Sequence, residues 1–399
     1  MLGRCGQPGD GCPRRWLILV GLLLAASLAA NAAMMVRYRV PHRLWESPTP
    51  LPDLPEIELS LGEVPGDEPP LLAAPATVES RQELRDWQSL GRKKLQELLG
   101  IIAPNQVPAV REVGRAEVGT VVRRSLVFTQ DDGMEVPAFL LHAQHGEPRP
   151  GLLVIPGHSM GIVATSGIVS DYQNAMALEL AKAGYVVLTM EVRGFGYLQK
   201  LGPGPEPMDH GPYTGYLLVR GTTRLGVTIR DAMMGLSYLE AHPEVMPQRL
   251  GVVGFSSGCD ASIYIGALDE RVDAVVASGC VGSHESNFRL SRNDSYEAVP
   301  GLARWLEMSD CLGLLSPRPV LVHWGEKDND PRTRSAAFNP TSLHIFEAAR
   351  RIYALEDKGD RLEQHITPGL EHAFDVDAAI AFVHQRLPLA ESANKHLEQ

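Results

Sequence analysis

Two stretches of this chain, Gly254-Phe255-Ser256-Ser257-Gly258 and Gly157-His158-Ser159-Met160-Gly161, fit the pattern G-x-S-x-G. The pattern suits a serine nucleophile. A sharp strand-to-helix turn lifts the hydroxyl clear of a sheet, and flanking glycines avoid the clashes that larger residues would make. Both stretches follow apolar runs, at 250–253 and 152–155, so the pattern alone does not choose between them. Their surroundings do. After Ser256 a small-residue, apolar-periodic run to Leu268 reads as a helix that starts at once, whereas 161–167 is β-branched and Gly-rich with no helical stripe. Two strand-helix units precede Ser256, and only a hairpin precedes Ser159. Ser256 is the candidate nucleophile, with Ser159 its competitor.

A serine hydroxyl needs a base at neutral pH, and the base needs an orienting carboxylate. In a sheet of this kind they follow in the order Ser, Asp or Glu, His, each on a loop after a strand. Asp328 closes Gly325-Glu326-Lys327-Asp328 after an apolar run at 319–324 and is the candidate acid, in competition with Asp330 and Glu285. His372 closes Pro368-Gly369-Leu370-Glu371-His372 and is the candidate base, with His365, inside a strand pattern, as the alternative. Acyl transfer also needs N–H donors for the developing oxyanion. The Ser257 amide at the start of the helix supplies one. The loop after 152–155 supplies the other, the His158 amide first and Ser159 next.

The elements that must position these residues read as α/β. Strand patterns at 152–155, 185–191, 250–253, 274–278, 319–324 and 362–366 alternate with helical ones at 172–183, 224–241, 342–355 and 376–386. Such alternation implies a mainly parallel, doubly wound sheet covered on both faces. Ahead of it, Ser80 and Glu83 form a capping box for a helix that ends at Gly100, with Leu84, Trp87, Gly91, Leu95 and Leu98 on one face. Asp131-Asp132-Gly133 sits between two apolar runs and predicts an antiparallel hairpin. Residues 196–221, rich in Gly, Pro and Tyr, read as a long loop over the carboxyl ends of the strands, where ligands bind in open α/β sheets.

The ordered set Pro156-Gly157-His158, Glu191-Val192-Arg193-Gly194-Phe195-Gly196, Arg230-Asp231, GFSSG, Pro317-Arg318-Pro319, GEKD and GLEH resembles the α/β-hydrolase superfamily. It is most similar to the acetyl xylan esterase and dienelactone hydrolase-like branch. The resemblance spans roughly 84–387 and implies hydrolysis of small carboxylic esters without a cofactor or metal. Two positions depart from the family pattern: Pro156 stands where His usually precedes the oxyanion-loop glycine, and Cys259 where a second glycine often follows the elbow. A serine peptidase on the same fold and a catalytically silent, membrane-tethered scaffold remain as alternatives.

Composition sets the outer bounds. The 399 residues are 44% hydrophobic and 21% charged, enough for a large core, and the formal charge of -11 argues against nucleic acid as a partner. Arg14-Arg15 precede an uncharged apolar run, 16–36, long enough to span a bilayer; it also holds Ala30-Asn31-Ala32, a cleavage-like site. Residues 1–40 are therefore a signal peptide or a membrane anchor, and the body is expected outside the cytoplasm. Residues 41–78, with nine prolines between acidic residues, read as a linker, and 79–399 as the hydrolase domain. Cys259, Cys280 and Cys311 are expected as buried thiols, with a Cys280–Cys311 bridge as the alternative.

Overall fold

Short apolar runs bounded by turn residues become strands, and their register shows which loops share an end of the sheet. The computed structural model describes residues 69–77, 80–101, 108–144, 147–201, 210–289, 295–328 and 338–390. The expected signal or anchor, most of the linker and Asp330 lie outside these residues. Among the described residues, no helix is long and apolar enough to cross a membrane.

Among the described residues, nine strands form one sheet: β1 (Ala109–Val118), β2 (Val121–Thr129), β3 (Glu135–Ala143), β4 (Arg149–Ile155), β5 (Val186–Met190), β6 (Val245–Phe255), β7 (Val272–Ser278), β8 (Val320–Gly325) and β9 (Leu362–Thr367). Their order is β1-β2-β3-β5-β4-β6-β7-β8-β9. The first three form an antiparallel meander, β3 runs antiparallel to β5, and the pairings from β5 to β9 are parallel. The chain leaves β4 toward β5 and then crosses back to place β6 on the other side of β4. The carboxyl ends of β4 and β6 thus meet at the switch point, the place where α/β sheets open a crevice. Ile155 pairs with Gly254 there, so the two G-x-S-x-G turns are neighbours.

Alternate side chains of each strand serve two cores. Leu153, Ile155 and Val252 face a layer formed by helices Arg81–Leu99, Arg224–Ala241 and Ser257–Leu268, through residues such as Leu84, Ile229 and Ile263. Leu152, Val154 and Val253 face helices Met176–Lys182 and Val376–Arg386 through Met176, Leu180 and Phe382. Each such aliphatic burial stabilises by about 1.5–3 kcal/mol. The first helix is capped as expected: Ser80 Oγ accepts the Glu83 N–H at 3.3 Å, and Gly100 is left-handed. Leu99 rather than Leu98 completes its fully buried face.

Several elements differ from their expected form. β1 has no counterpart in the sequence reading because it is exposed along almost its whole length and shows no apolar stripe. Its Arg111, Glu112, Arg115 and Glu117 discourage further pairing at this edge of the sheet. The expected helix at 172–183 is shortened to Met176–Lys182: Asp171 takes the Gln173 N–H at 2.8 Å, and Asn174 and Ala175 adopt positive φ. The expected loop at 196–221 carries helices Gly196–Leu201 and His210–Val219, which its Gly and Pro content concealed.

Residues 69–77, assigned above to the linker, are bonded to the body. The N–H groups of Leu71 and Leu72 donate to Arg304 and Trp305, both at 2.9 Å. The Trp87 indole donates to the Leu72 carbonyl, and Ala74 N–H to Asp310. The expected thiols are also corrected, since Cys259 and Cys280 form a disulfide while Cys311 remains a buried thiol. Phe255 and Ser278 are paired across β6 and β7, so residues just past each strand end come together, with the two Cα atoms 5.7 Å apart.

Candidate active site

The turn after β6 is dictated by close backbone approach. A Cβ on Gly254 would lie 2.0 Å from the Gly258 carbonyl oxygen, and one on Gly258 would lie 2.2 Å from that of Ile155. Between them Ser256 adopts φ 54° and ψ -122°, a left-handed conformation that a serine holds only when its surroundings fix it. They do so through Ser256 N–H, which donates to the Ser278 carbonyl at 2.8 Å, and through the helix that begins at Ser257. The Ser257 N–H belongs to the first helical turn, where backbone donors have no intrahelical acceptor.

The structure brings Ser256, His372 and Asp328 together. His372 Nε2 lies 3.0 Å from Ser256 Oγ, and its Nδ1 lies 2.9 and 3.1 Å from the two carboxylate oxygens of Asp328. Asp328 is 1% exposed. The imidazole packs against Phe255, with ring centroids 4.8 Å apart, and against Tyr172 at 5.7 Å. The loops that carry acid and imidazole are fastened to each other: Lys327 N–H donates to Leu370, and Gly369 N–H to the Glu326 carboxylate.

The competing residues have other partners or positions. His365 sits on β9 with its side chain 45% exposed and lies 3.6 Å from Asp375. Glu285 is exposed on helix His284–Arg289. Under the site, burial pushes His323 down to about 4, so it stays neutral. Its ring links Ser278 Oγ at 2.6 Å to Thr367 Oγ1 at 3.0 Å.

Ser159 lies in the loop after β4. Its Oγ accepts a hydrogen bond from Gln173 Nε2 at 2.5 Å. His158 Nδ1 lies 2.9 Å from the Tyr296 hydroxyl, and its ring packs against Phe195 and Tyr296. Glu191, 2% exposed at the end of β5, accepts the N–H groups of Val192 at 3.2 Å and Tyr197 at 3.0 Å, and also that of Ile162. Burial pushes its carboxyl up to about 8 despite these three donors. Arg193 spans Asp231 and Asp132, tying the loop after β5 to the β2–β3 turn. Burial alone would raise the Asp132 carboxyl, but Arg193 and Arg230 hold it down at about 2.

Sequence reasoning missed Tyr172, Gln173 and the Cys259–Cys280 pair. Gln173 carried no motif and lay within an expected helix. Cys259 did carry a signal, as a departure from the usual glycine. Among the described residues, no group of three His, Cys, Asp or Glu side chains is arranged to hold a metal ion.

An antiparallel entry into a parallel sheet, with a positive-φ serine between the central strand and its helix, defines the α/β-hydrolase fold. The chain belongs to the abhydrolase family, whose model matches residues 70–350. It is similar to YtaP of Bacillus subtilis (strain 168), a hydrolase by assignment, with 27% identity over 248 residues, covering 59% of this chain and 80% of that protein. Its fold is similar to that of a protein assigned as an acetyl xylan esterase from Bacteroides fragilis NCTC 9343, at TM-score 0.65 and 18% identity, over 80% of this chain and 92% of the other. A glucuronoyl esterase from Solibacter usitatus matches at TM-score 0.57 and 15% identity, over 80% and 97%.

Proposed function

We propose that this chain is a serine-dependent hydrolase of small carboxylic esters, acetyl esters or similar, with Ser256 as nucleophile, His372 as base and Asp328 as orienting acid. The observation that carries the reading is the unbroken path from Ser256 Oγ through both nitrogens of His372 to a buried carboxylate, at 3.0 and 2.9 Å. As Oγ attacks the ester carbonyl carbon, His372 Nε2 takes its proton, and Asp328 stabilises the imidazolium. The oxyanion receives the Ser257 N–H and an amide of the β4 loop, His158 first and Ser159 next. The imidazolium then protonates the departing alcohol and leaves an acyl-Ser256 ester. Water, deprotonated by the same nitrogen, attacks that ester; the carboxylic acid leaves and the proton returns to Oγ.

Similar solved structures named as acetyl xylan esterase, methylesterase and glucuronoyl esterase support an ester rather than a peptide substrate. The Cys259–Cys280 disulfide supports work in an oxidising compartment outside the cytoplasm. Residues 1–40 then serve as a cleaved signal or an anchor, and the proline-rich stretch behind them as a spacer. The test is hydrolysis of p-nitrophenyl acetate, butyrate and octanoate together with labelling by a fluorophosphonate probe. Both are expected for the wild type, with the short esters preferred, and both are expected to vanish in Ser256→Ala. A folded wild type that neither hydrolyses nor labels would sink the proposal.

A further inference from the structure

Five residues between β4 and the helix Met176–Lys182 form a turn that belongs to neither. Asn174 and Ala175 lie at φ 50° and 51°, a conformation that costs a non-glycine residue of the order of 1–3 kcal/mol and persists only where its surroundings enforce it. The enforcing bonds run to the two loops that flank Ser256. Toward the β4 loop, Gln173, 0% exposed, accepts the Gly157 N–H on Oε1 at 2.6 Å. Its Nε2 donates to Ser159 Oγ at 2.5 Å and to Asp171 at 3.2 Å, and the Tyr172 hydroxyl donates to the His158 carbonyl. Toward the histidine loop, Phe374 N–H donates to the Tyr172 carbonyl and Asn174 Nδ2 to the Phe374 carbonyl, both at 2.9 Å.

We infer that Gln173 is a positioning residue for the oxyanion hole, aligning the β4 loop against Ser256 from both ends of one carboxamide. The orientation of that amide follows from its partners. Gly157 N–H can only donate, so Oε1 must face it, and Nε2 is left to the Ser159 hydroxyl. Because Gln173 already holds the Gly157 N–H, the donor that meets an oxyanion is a later amide of the loop. Gln173 grips the residues on either side of His158, so the angle of that peptide is set by the carboxamide. The turn also joins this loop to the one carrying His372, which keeps the donor and the base in one register. The inference rests on the esterase reading above.

Gln173→Glu tests it in the purified full-length chain with p-nitrophenyl acetate. The variant keeps the shape and the acceptor for Gly157; it keeps a donor to Ser159 only while protonated. The ratio of variant to wild-type kcat should therefore fall as pH is raised from 5 to 9, reaching about a thirtyfold loss, with KM changed less than about twofold. A purely structural role gives a ratio that does not move with pH. A ratio flat with pH, a kcat within twofold of wild type throughout, or a loss confined to KM overturns the inference. If Gln173→Glu does not fold, Ser159→Ala carries the test: kcat down about three- to fivefold at constant KM supports the inference, and an unchanged kcat overturns it. A folded wild type without esterase activity overturns the underlying reading and this inference with it, whereas an active wild type beside an unaffected variant overturns this inference alone.

Discussion

The two G-x-S-x-G turns lie side by side at the switch point of one sheet, yet they are different objects. At Gly254–Gly258 the serine has positive φ, a helix starts at the next residue, and an imidazole stands 3.0 Å from the hydroxyl. At Gly157–Gly161 the serine is held by a buried glutamine, and the following helix is the single turn Ile162–Thr165. The shared pattern specifies small residues where neighbouring atoms, backbone at Gly157, Gly254 and Gly258 and the Glu191 carboxylate at Gly161, leave no room. Partners far away in sequence set the two hydroxyls apart, His372 for one and Gln173 for the other.

Substitutions can break that contrast or sharpen it. The largest effect is expected for Ser256→Ala, which should lower kcat/KM for p-nitrophenyl acetate by about 10⁴-fold or more. A comparable loss from Ser159→Ala instead would reverse the roles of the two turns. Removing the base should cost nearly as much, because the hydroxyl then has no acceptor for its proton: His372→Ala is expected to lower kcat/KM on the same ester by a similar factor, and unchanged activity would count against the base.

Gly258→Ala should destabilise by about 3 kcal/mol or more, read from denaturant midpoints, since its Cβ would meet the backbone of Ile155 at 2.2 Å. Replacing Cys259 and Cys280 by alanine together should cost about 3 kcal/mol, because the bond closes a sequence separation of 21 residues. No loss of stability there would mean that the elbow helix is fixed by packing alone.

Glu191 holds the start of the helix that follows the second turn, and its effect depends on pH. With a folded pKa of about 8, above the ordinary carboxylate value, the native state keeps a proton that the unfolded chain has lost between about pH 4.5 and 8. Its contribution to stability therefore falls as pH rises through that window. Glu191→Gln removes this slope, so its melting temperature relative to wild type should climb from pH 5 to pH 8; a constant difference would place the pKa elsewhere. The smallest effect is expected for Ser159→Ala, about three- to fivefold in kcat.

What the sequence conveyed followed from periodicity and from turn chemistry. The parallel core strands alternate between two apolar layers, and the elbow glycines have no room for a side chain, so both were readable from residue types alone. Strand β1 was not, because an exposed edge has no apolar stripe to detect. Tyr172–Ala175 looked helical because its residue types permit a helix; what unwinds it is bonding to loops at 157–159 and 374, contacts no local pattern records. The disulfide was hidden for the same reason: Cys259 and Cys280 are brought together by strand pairing, and spacing alone gave no cause to prefer that pair.

That disulfide also imposes an order of events on biosynthesis. Its sulfurs belong to residues 0% and 1% exposed, one within the helix Ser257–Leu268 and the other just after β7. An oxidant must reach both thiols before those elements close over them. A chain that folds first in a reducing environment encloses two thiols beside Ser256, out of reach of added oxidant for as long as it stays folded. Two preparations of identical sequence can thus differ in a covalent bond according to where each molecule first folded.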